Sequence, residues 1–209
     1  MSEPIVIKTI QEWGGSYDDI HEVLYEAHRH NRQRGLVYKS TLLNGAELQS
    51  KVGDGITYVA LIEGRPVGTG SAYFCTGRNW YDKGVLVAHY CLAGVLPEYQ
   101  GKGIMSQLYS AIEQYAITRG AKIVRSGTAE RNAIQRSFFK RYGFIPVDFL
   151  ISKGNDYFSV MYAKWLDPSV AHSYFKCKLH MIRSACKMRL LYTSTGKKSF
   201  VGKVLRKGR

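Results

Sequence analysis

An apolar run over residues 85–95 ends in the short turn Leu96-Pro97-Glu98-Tyr99-Gln100-Gly101-Lys102-Gly103. A helical pattern then starts at once, with Ile104, Leu108, Ile112 and Tyr115 on one stripe and Gln107, Glu113 and Gln114 off it. No other segment restricts the fold as much. A strand that ends in glycines and opens into a helix points several backbone N–H groups at one place, and the helix dipole adds partial positive charge there. Gly101 and Gly103 allow the main chain to approach a bulky anion with no Cβ in the way. The arrangement is that of a diphosphate cradle. It is neither the Gly-x-x-x-x-Gly-Lys-Ser/Thr loop of nucleotide hydrolases nor the Gly-x-Gly-x-x-Gly of dinucleotide folds.

The order of elements around the turn gives it weight. The pattern predicts a strand over 4–10, a helix over 17–30 and a short helix over 45–51. Strands over 56–62 and 67–74 are joined by Glu63-Gly64-Arg65-Pro66, a hairpin signal. A loop over 76–84 carries Trp80 and Tyr81. The central strand over 85–95 and the helix over 103–119 follow, then a strand over 122–128 and a helix over 132–141 that Gly143 ends. Strands over 145–151 and 157–165 close the series. Hairpins come first, and one strand–helix–strand unit in the middle requires a right-handed parallel crossover. The class is α/β with a mixed sheet.

This order and its motifs resemble the GNAT superfamily of acetyl-CoA-dependent N-acetyltransferases, over about residues 3–166. The cofactor motif of that family, Gln/Arg-x-x-Gly-x-Gly/Ala, is met by Gln100-Gly101-Lys102-Gly103-Ile104-Met105. Met105 stands where the family has a small residue, a bulk expected to crowd or displace the pyrophosphate. The second signature, Asn-x-x-Ala-x-x-x-Tyr-x-x-x-Gly-Phe, is met by Asn132, Gly143 and Phe144, with Gln135 in place of Ala and Phe139 in place of Tyr. The resemblance implies a mostly antiparallel sheet with a splayed central strand pair and flanking helices. It implies that the two central strands splay apart at a bulge after the fourth strand, and that backbone groups near Ala93, Gly94 and Val95 pair with a pantetheine arm lying in that V. Gly94 also reads as a plain strand glycine. The cofactor-binding set is then Gly94, Val95, Gln100, Gly101, Lys102, Gly103, Ile104, Met105, Ser106 and Asn132, with acetyl-CoA as co-substrate and no metal.

Acetyl transfer to an amine needs the thioester held beside the amine, a base for the ammonium proton, and a stabilised thiolate. Positioning contributes most, of order 7–11 kcal/mol. His89, six residues before Val95, lies where similar enzymes with a side-chain base place it, and imidazole titrates near neutrality. The alternatives are a strand histidine bonded to a neighbour, or a water relay. Similar enzymes donate a proton to sulfur from the Tyr that is Phe139 here. Tyr142, three residues on, is the candidate substitute, and packing is its other reading. Asn132 is expected to bond the pantetheine region, to cap its helix, or both. The patch His28, Arg29, His30, Arg32 and Arg34 either favours an anionic acceptor or is a solvated helix end. Trp80 and Tyr81 line the acceptor pocket or anchor their loop.

The chain has 209 residues, enough for one domain with an appendage, and 45% are hydrophobic. The start, Met1-Ser2-Glu3-Pro4-Ile5, does not read as a signal peptide, and no apolar run nears the ~18 residues of a membrane span. Cys75, Cys91, Cys177 and Cys186 lack metal-ligand spacing and read as reduced thiols of a cytoplasmic protein. The formal charge is +14, but eleven Lys or Arg and a single acid fall in 167–209. We therefore read a catalytic domain over 1–166 and a basic extension over 167–209, helical to about 192. Ala171, Phe175, Leu179, Ile182, Cys186 and Leu190 form one stripe of that helix, beside Lys176, His180, Arg183 and Lys187. The stripe either packs on the domain's own sheet or docks on an anionic membrane surface or acidic partner. Nucleic acid is not the expected partner, since most of the net charge sits in the tail, and a second copy of the chain is a further candidate.

The expectation is an acetyltransferase acting on a primary amine of a small molecule, an amino sugar or its nucleotide conjugate being the leading class. The alternatives are an N-terminal or lysine acetyltransferase of proteins, and a non-catalytic acyl-CoA- or nucleic-acid-binding protein on the same fold.

Overall fold

The computed structural model of the protein describes residues 4–151 and 157–192. By packing, the chain divides into two units, Met1–Val124 and Arg125–Arg209. The first holds β1 (Val6–Thr9), α1 (Ile10–Trp13), α2 (Tyr17–Ala27), α3 (Arg29–Gln33), α4 (Gly45–Val52), β2 (Ile56–Ile62), β3 (Arg65–Thr76), β4 (Leu86–Val95), α5 (Ile104–Thr118) and the start of β5 (Ile123–Ala129). The second holds the rest of β5, then α6 (Ala133–Arg141), β6 (Ile145–Leu150), β7 (Ser159–Trp165) and α7 (Tyr174–Leu191). The strands form a mixed α/β sheet in the order β1-β2-β3-β4-β5-β7-β6. Pairs β1–β2, β2–β3, β3–β4 and β6–β7 are antiparallel.

In the first unit both faces of the sheet are covered. Residues alternate between faces along a strand. On β2, Val59 and Leu61 join Ile10, Ile20, Leu24 and Leu48, which come from the α1, α2 and α4 side. Their neighbours Ala60 and Ile62 join Ile104 and Leu108 of α5. This two-sided burial explains why the end of β2 reads as an unbroken apolar run. The β2–β3 hairpin turns on two residues, Glu63 at φ 50° and Gly64 at φ 77°. Two successive positive φ values are what a tight hairpin matched to strand twist requires. On β3, a Cβ at Gly70 would stand 3.1 Å from Ile112 Cδ1, and one at Gly68 would stand 3.2 Å from Ile104 Cγ2. These glycines let α5 lie close against the sheet.

Three helices begin with reciprocal caps: Thr9 with Glu12, Ser16 with Asp19, and Asn44 with Glu47. Each cap satisfies backbone N–H groups that a helix start leaves open. The first cap ends the expected strand over 4–10 at Thr9 and starts a single helical turn. The expected helix over 17–30 stops at Ala27, and His28 divides it from α3.

In the second unit, Phe139 is 1% exposed and packs on Phe144 and Tyr162. Helix α7 packs on β6. Of the two readings of the stripe Phe175, Leu179, Ile182, Cys186 and Leu190, packing on the sheet is the one the structure removes. Cys177 and Ala185 are the buried residues of α7, while the stripe named from the sequence faces outward. Met181 and Met188 sit at the same helical spacing as Cys177 and Ala185, so the helix carries two apolar stripes and the sheet takes the other one. The part of the basic extension beyond Tyr192 lies outside the described residues.

Candidate active site

The turn after β4 has the expected build. After the 3-10 turn Pro97–Tyr99, Gly101 adopts φ 79° and Gly103 φ 77°. Both values lie in the left-handed region, where a side chain costs ~1–2 kcal/mol. A Cβ at either glycine would meet nothing within 4 Å, so the turn faces open space. Gly103 is the N-cap of α5 and brings no side-chain cap, which leaves the first N–H groups of a 15-residue helix without a capping side chain. Gln100 Nε2 donates to Val95 O at 2.9 Å and pins the turn to the strand end. Lys102 Nζ lies 4.9 Å above the Tyr99 ring, at the rim of the turn. Met105 is partly buried and packs on the cluster that holds Ala60, Ile62, Val67 and Leu108. Ser106 is exposed on the first turn of the helix and Ile104 is buried beneath it.

Strand β4 carries a bulge in its pairing with β3. The β3–β4 register shifts between Thr69, opposite Gly94, and Ser71, opposite Cys91. Leu92 sits in the bulge at φ 47°, strained for a branched side chain. It packs in the same cluster as Cys91 despite being next to it, so the extra residue resets which side chains face which way. A Cβ on Gly94 would be 2.8 Å from Ala27 Cβ. That contact makes glycine a requirement of α2 packing at this position.

His89 shares its strand face with Val87 and Cys91. Its ring stacks on Tyr73 of β3, centroids 4.8 Å apart and planes 16° apart. The imidazole is half-buried and has one ring face fixed by an aromatic neighbour. Desolvation pushes the Cys91 thiol up to about 12, which keeps it protonated near pH 7.

A second histidine stands out in the structure, where the sequence shows only a member of a basic patch. His28 Nε2 lies 3.1 Å from Ala93 O, and its Nδ1 lies 3.1 Å from Asn31 Nδ2. A carbonyl only accepts, so Nε2 carries the proton and Nδ1 accepts from the amide. The ring also contacts Tyr38. Desolvation lowers the imidazole to about 4, a shift that the Ala93 bond opposes and the Arg32 charge assists. His28 is therefore neutral near pH 7. The signal in the sequence is spacing, since position 28 lies four residues after buried Leu24 on the stripe of α2. The rest of the patch is partly internal. Arg29 and Arg32 pair with Glu26, and Arg32 lies over the Tyr25 ring and donates to Tyr25 O.

Tyr81 is 3% exposed and anchors its loop, where buried Asp82 accepts from Asn79 N and Nδ2. In the second unit, Asn132 is the N-cap of α6 and accepts from Gln135 N. Tyr142 ends that helix, stacked 5.6 Å from Phe138 with Lys164 Nζ 4.7 Å above its ring. Among the described residues, no group of three His, Cys, Asp or Glu could hold a metal ion, and no helix is long and apolar enough to cross a membrane.

Comparison with known proteins gives this geometry a family. Residues 17–144 match the Acetyltransferase (GNAT) family. An N-acetyltransferase from Staphylococcus aureus Mu50 superposes with TM-score 0.57 at 16% identity, covering 78% of this chain and 99% of that one. An acetyltransferase from Streptococcus agalactiae 2603 gives 0.58 at 13%, covering 78% and 98%. An IAA acetyltransferase from Bacillus cereus ATCC 14579 gives 0.51 at 19%, covering 78% and 100%. No curated protein sequence matches. At such identities the solved structures speak for the fold, and the family match for descent: this chain belongs to the GNAT family of acetyltransferases.

Proposed function

We propose that the protein moves an acetyl group from acetyl-CoA to a primary amine of a small molecule. The observation that carries the reading is the turn itself. Two left-handed glycines precede a helix N-terminus with no capping side chain, and the turn opens to free space. That donor set fits a diphosphate. Gln100, Gly101, Lys102, Gly103, Ile104, Met105 and Ser106 supply its N–H groups and rim, while Gly94 and Val95 on the bulged strand end, and Asn132, are assigned to the pantetheine arm. Bound acetyl-CoA supplies an acyl group already activated as a thioester.

The remaining chemistry belongs to side chains. His89, held by Tyr73, accepts the proton that the acceptor ammonium sheds, directly or through one water. Tyr142 is assigned to protonate the leaving thiolate, since Phe139 is buried and has no proton to give. Exposed His30 and Arg34 support an acceptor with negative charge, such as a nucleotide-linked amino sugar. The four cysteines are free thiols, which suits a reducing compartment such as the cytoplasm.

The test is thiol release from acetyl-CoA by purified protein over a panel of amines, amino sugars, nucleotide-linked amino sugars and peptides. Turnover confined to small amines supports the proposal. Turnover with peptides alone, or CoA binding with no turnover on any class, overturns the acceptor assignment or the enzymatic one respectively.

A further inference from the structure

Helix α7 turns one apolar stripe to the sheet and leaves a second in the open. The inward stripe is fixed by several contacts. Cys177 and Ala185 are buried, His180 Nε2 lies 3.8 Å from Asp148 Oδ1 on β6, and Arg189 pairs with Glu130 and reaches over Phe149. On the outer side Phe175 is 75% exposed, Ile182 46% and Leu190 56%, with Leu179 and Cys186 exposed beside them. At the rotation of an α-helix these five fall within an arc of about 80°. Lys178 and Arg189 border one edge of that arc. Lys176, Arg183 and Lys187 border the other. The helix contains no acid.

We propose that this outer face of α7 docks on an anionic phospholipid surface, lying in the plane of the headgroups. The charge pattern decides the occupant. Cations on both edges of a central apolar stripe match a plane that is anionic at its rim and apolar beneath. A second copy of the chain would bring Lys176, Lys178, Arg183 and Lys187 against the same four residues, Arg189 being already paired with Glu130. The segment 193–209 carries six further cations and no acid, a charge that adds to the attraction. Five charges also bar the helix from crossing the bilayer. Apolar side chains this exposed in one contiguous line otherwise carry a hydration cost with no return.

The experiment uses the full chain. Sedimentation with vesicles of phosphatidylcholine alone is compared with vesicles that also contain phosphatidylserine, at low and high salt. Binding to the second kind only, weakened by salt, is expected. Phe175→Gln with Ile182→Gln lies on the exposed face, leaves the melting temperature unchanged and reduces vesicle affinity about tenfold or more. Alkylation of Cys186 in the unmodified protein, read by peptide mass, slows on adding these vesicles. If that double variant binds as the parent does, while Gln replacements of the six cations in 193–209 abolish binding, the apolar stripe has no docking role and the proposal fails. It fails equally if no vesicle binding occurs. Sedimentation equilibrium then shows whether the stripe instead joins two copies, or whether a monomer points to an acidic protein partner.

Discussion

His28 Nε2 and Ala93 O are 3.1 Å apart, a bond that ties the C-terminus of α2 to the bulge of β4 across 65 residues of chain. Neutral imidazole is the form that fits, because Nδ1 must accept from Asn31 while Nε2 donates. Between about pH 6.5 and pH 4 the unfolded chain binds a proton at this residue that the folded chain refuses. Stability should therefore fall as pH is lowered through that window and be independent of His28 above it. Denaturant melts at pH 7.5 and pH 5 check this. His28→Ala should lose roughly 1–3 kcal/mol at pH 7.5, from an orphaned carbonyl and lost packing, and lose less at pH 5.

Gly103→Asp places a side chain at φ 77° and a negative charge at the N-cap of α5. Aspartate tolerates the left-handed region better than most residues, at a cost of about 1–2 kcal/mol, so the helix should hold. Its carboxylate would occupy the place of the diphosphate. Calorimetric titration with CoA should show at least a roughly hundredfold loss of affinity, in line with removal of charge-assisted contacts. Unchanged affinity in the folded variant would remove the turn from the cofactor assignment.

For His89→Gln, turnover should drop roughly 10²-fold with the acid limb of the pH–rate profile flattened. Tyr73→Leu is the companion. It leaves the imidazole in place and removes the stacking surface, so it should lower turnover by a smaller factor and leave the acid limb visible. If His89→Gln retains both rate and pH dependence, a water relay is the better account.

Phe139→Tyr tests the missing donor and exposes a conflict. The family position calls for a hydroxyl, yet this ring is 1% exposed among Phe144 and Tyr162. A hydroxyl buried there without a partner should cost about 1–3 kcal/mol, read as a lower denaturation midpoint. Tyr142→Phe keeps the stacking on Phe138 and the contact with Lys164, so stability should hold. A fall in turnover would then report the hydroxyl alone.

The hairpin offers a stabilising change. Glu63 holds φ 50° beside Gly64, so Glu63→Asn or Glu63→Gly should raise the unfolding free energy by roughly 0.5–1 kcal/mol, because these residues tolerate that conformation better. Equal melting temperatures for both variants and the parent would count against a strained turn.

Legibility in the sequence follows the range of the interaction. The glycine turn is readable because strand, glycines and helix are consecutive, and the Asn132 cap because its partner is Gln135. The single turn of α1 escapes notice because so short a helix shows no periodicity, although Thr9 and Glu12 spell a capping box. The His28–Ala93 bond is invisible because neither residue type nor local spacing announces a partner that far along the chain. For α7 the period and the stripe are legible, but not whether that stripe is covered. Two apolar stripes run along the helix, and only the shape of the sheet beneath decides which one is covered.

The small residues of β3 have a mechanical consequence. Ile112, pressed on Gly70, lies eight residues behind Ile104, a lever arm of about 12 Å along α5. A methyl at position 70 would stand 3.1 Å from Ile112 Cδ1, the tip of a flexible side chain, so a few tenths of an ångström of give has to be found there. Taken up as a turn of that side chain, it leaves α5 in place; taken up by the helix, it is felt along the same arm at Ile104 and the glycine turn. Gly70→Ala thus tests whether the back of the sheet sets the position of the turn, with every residue of the turn intact.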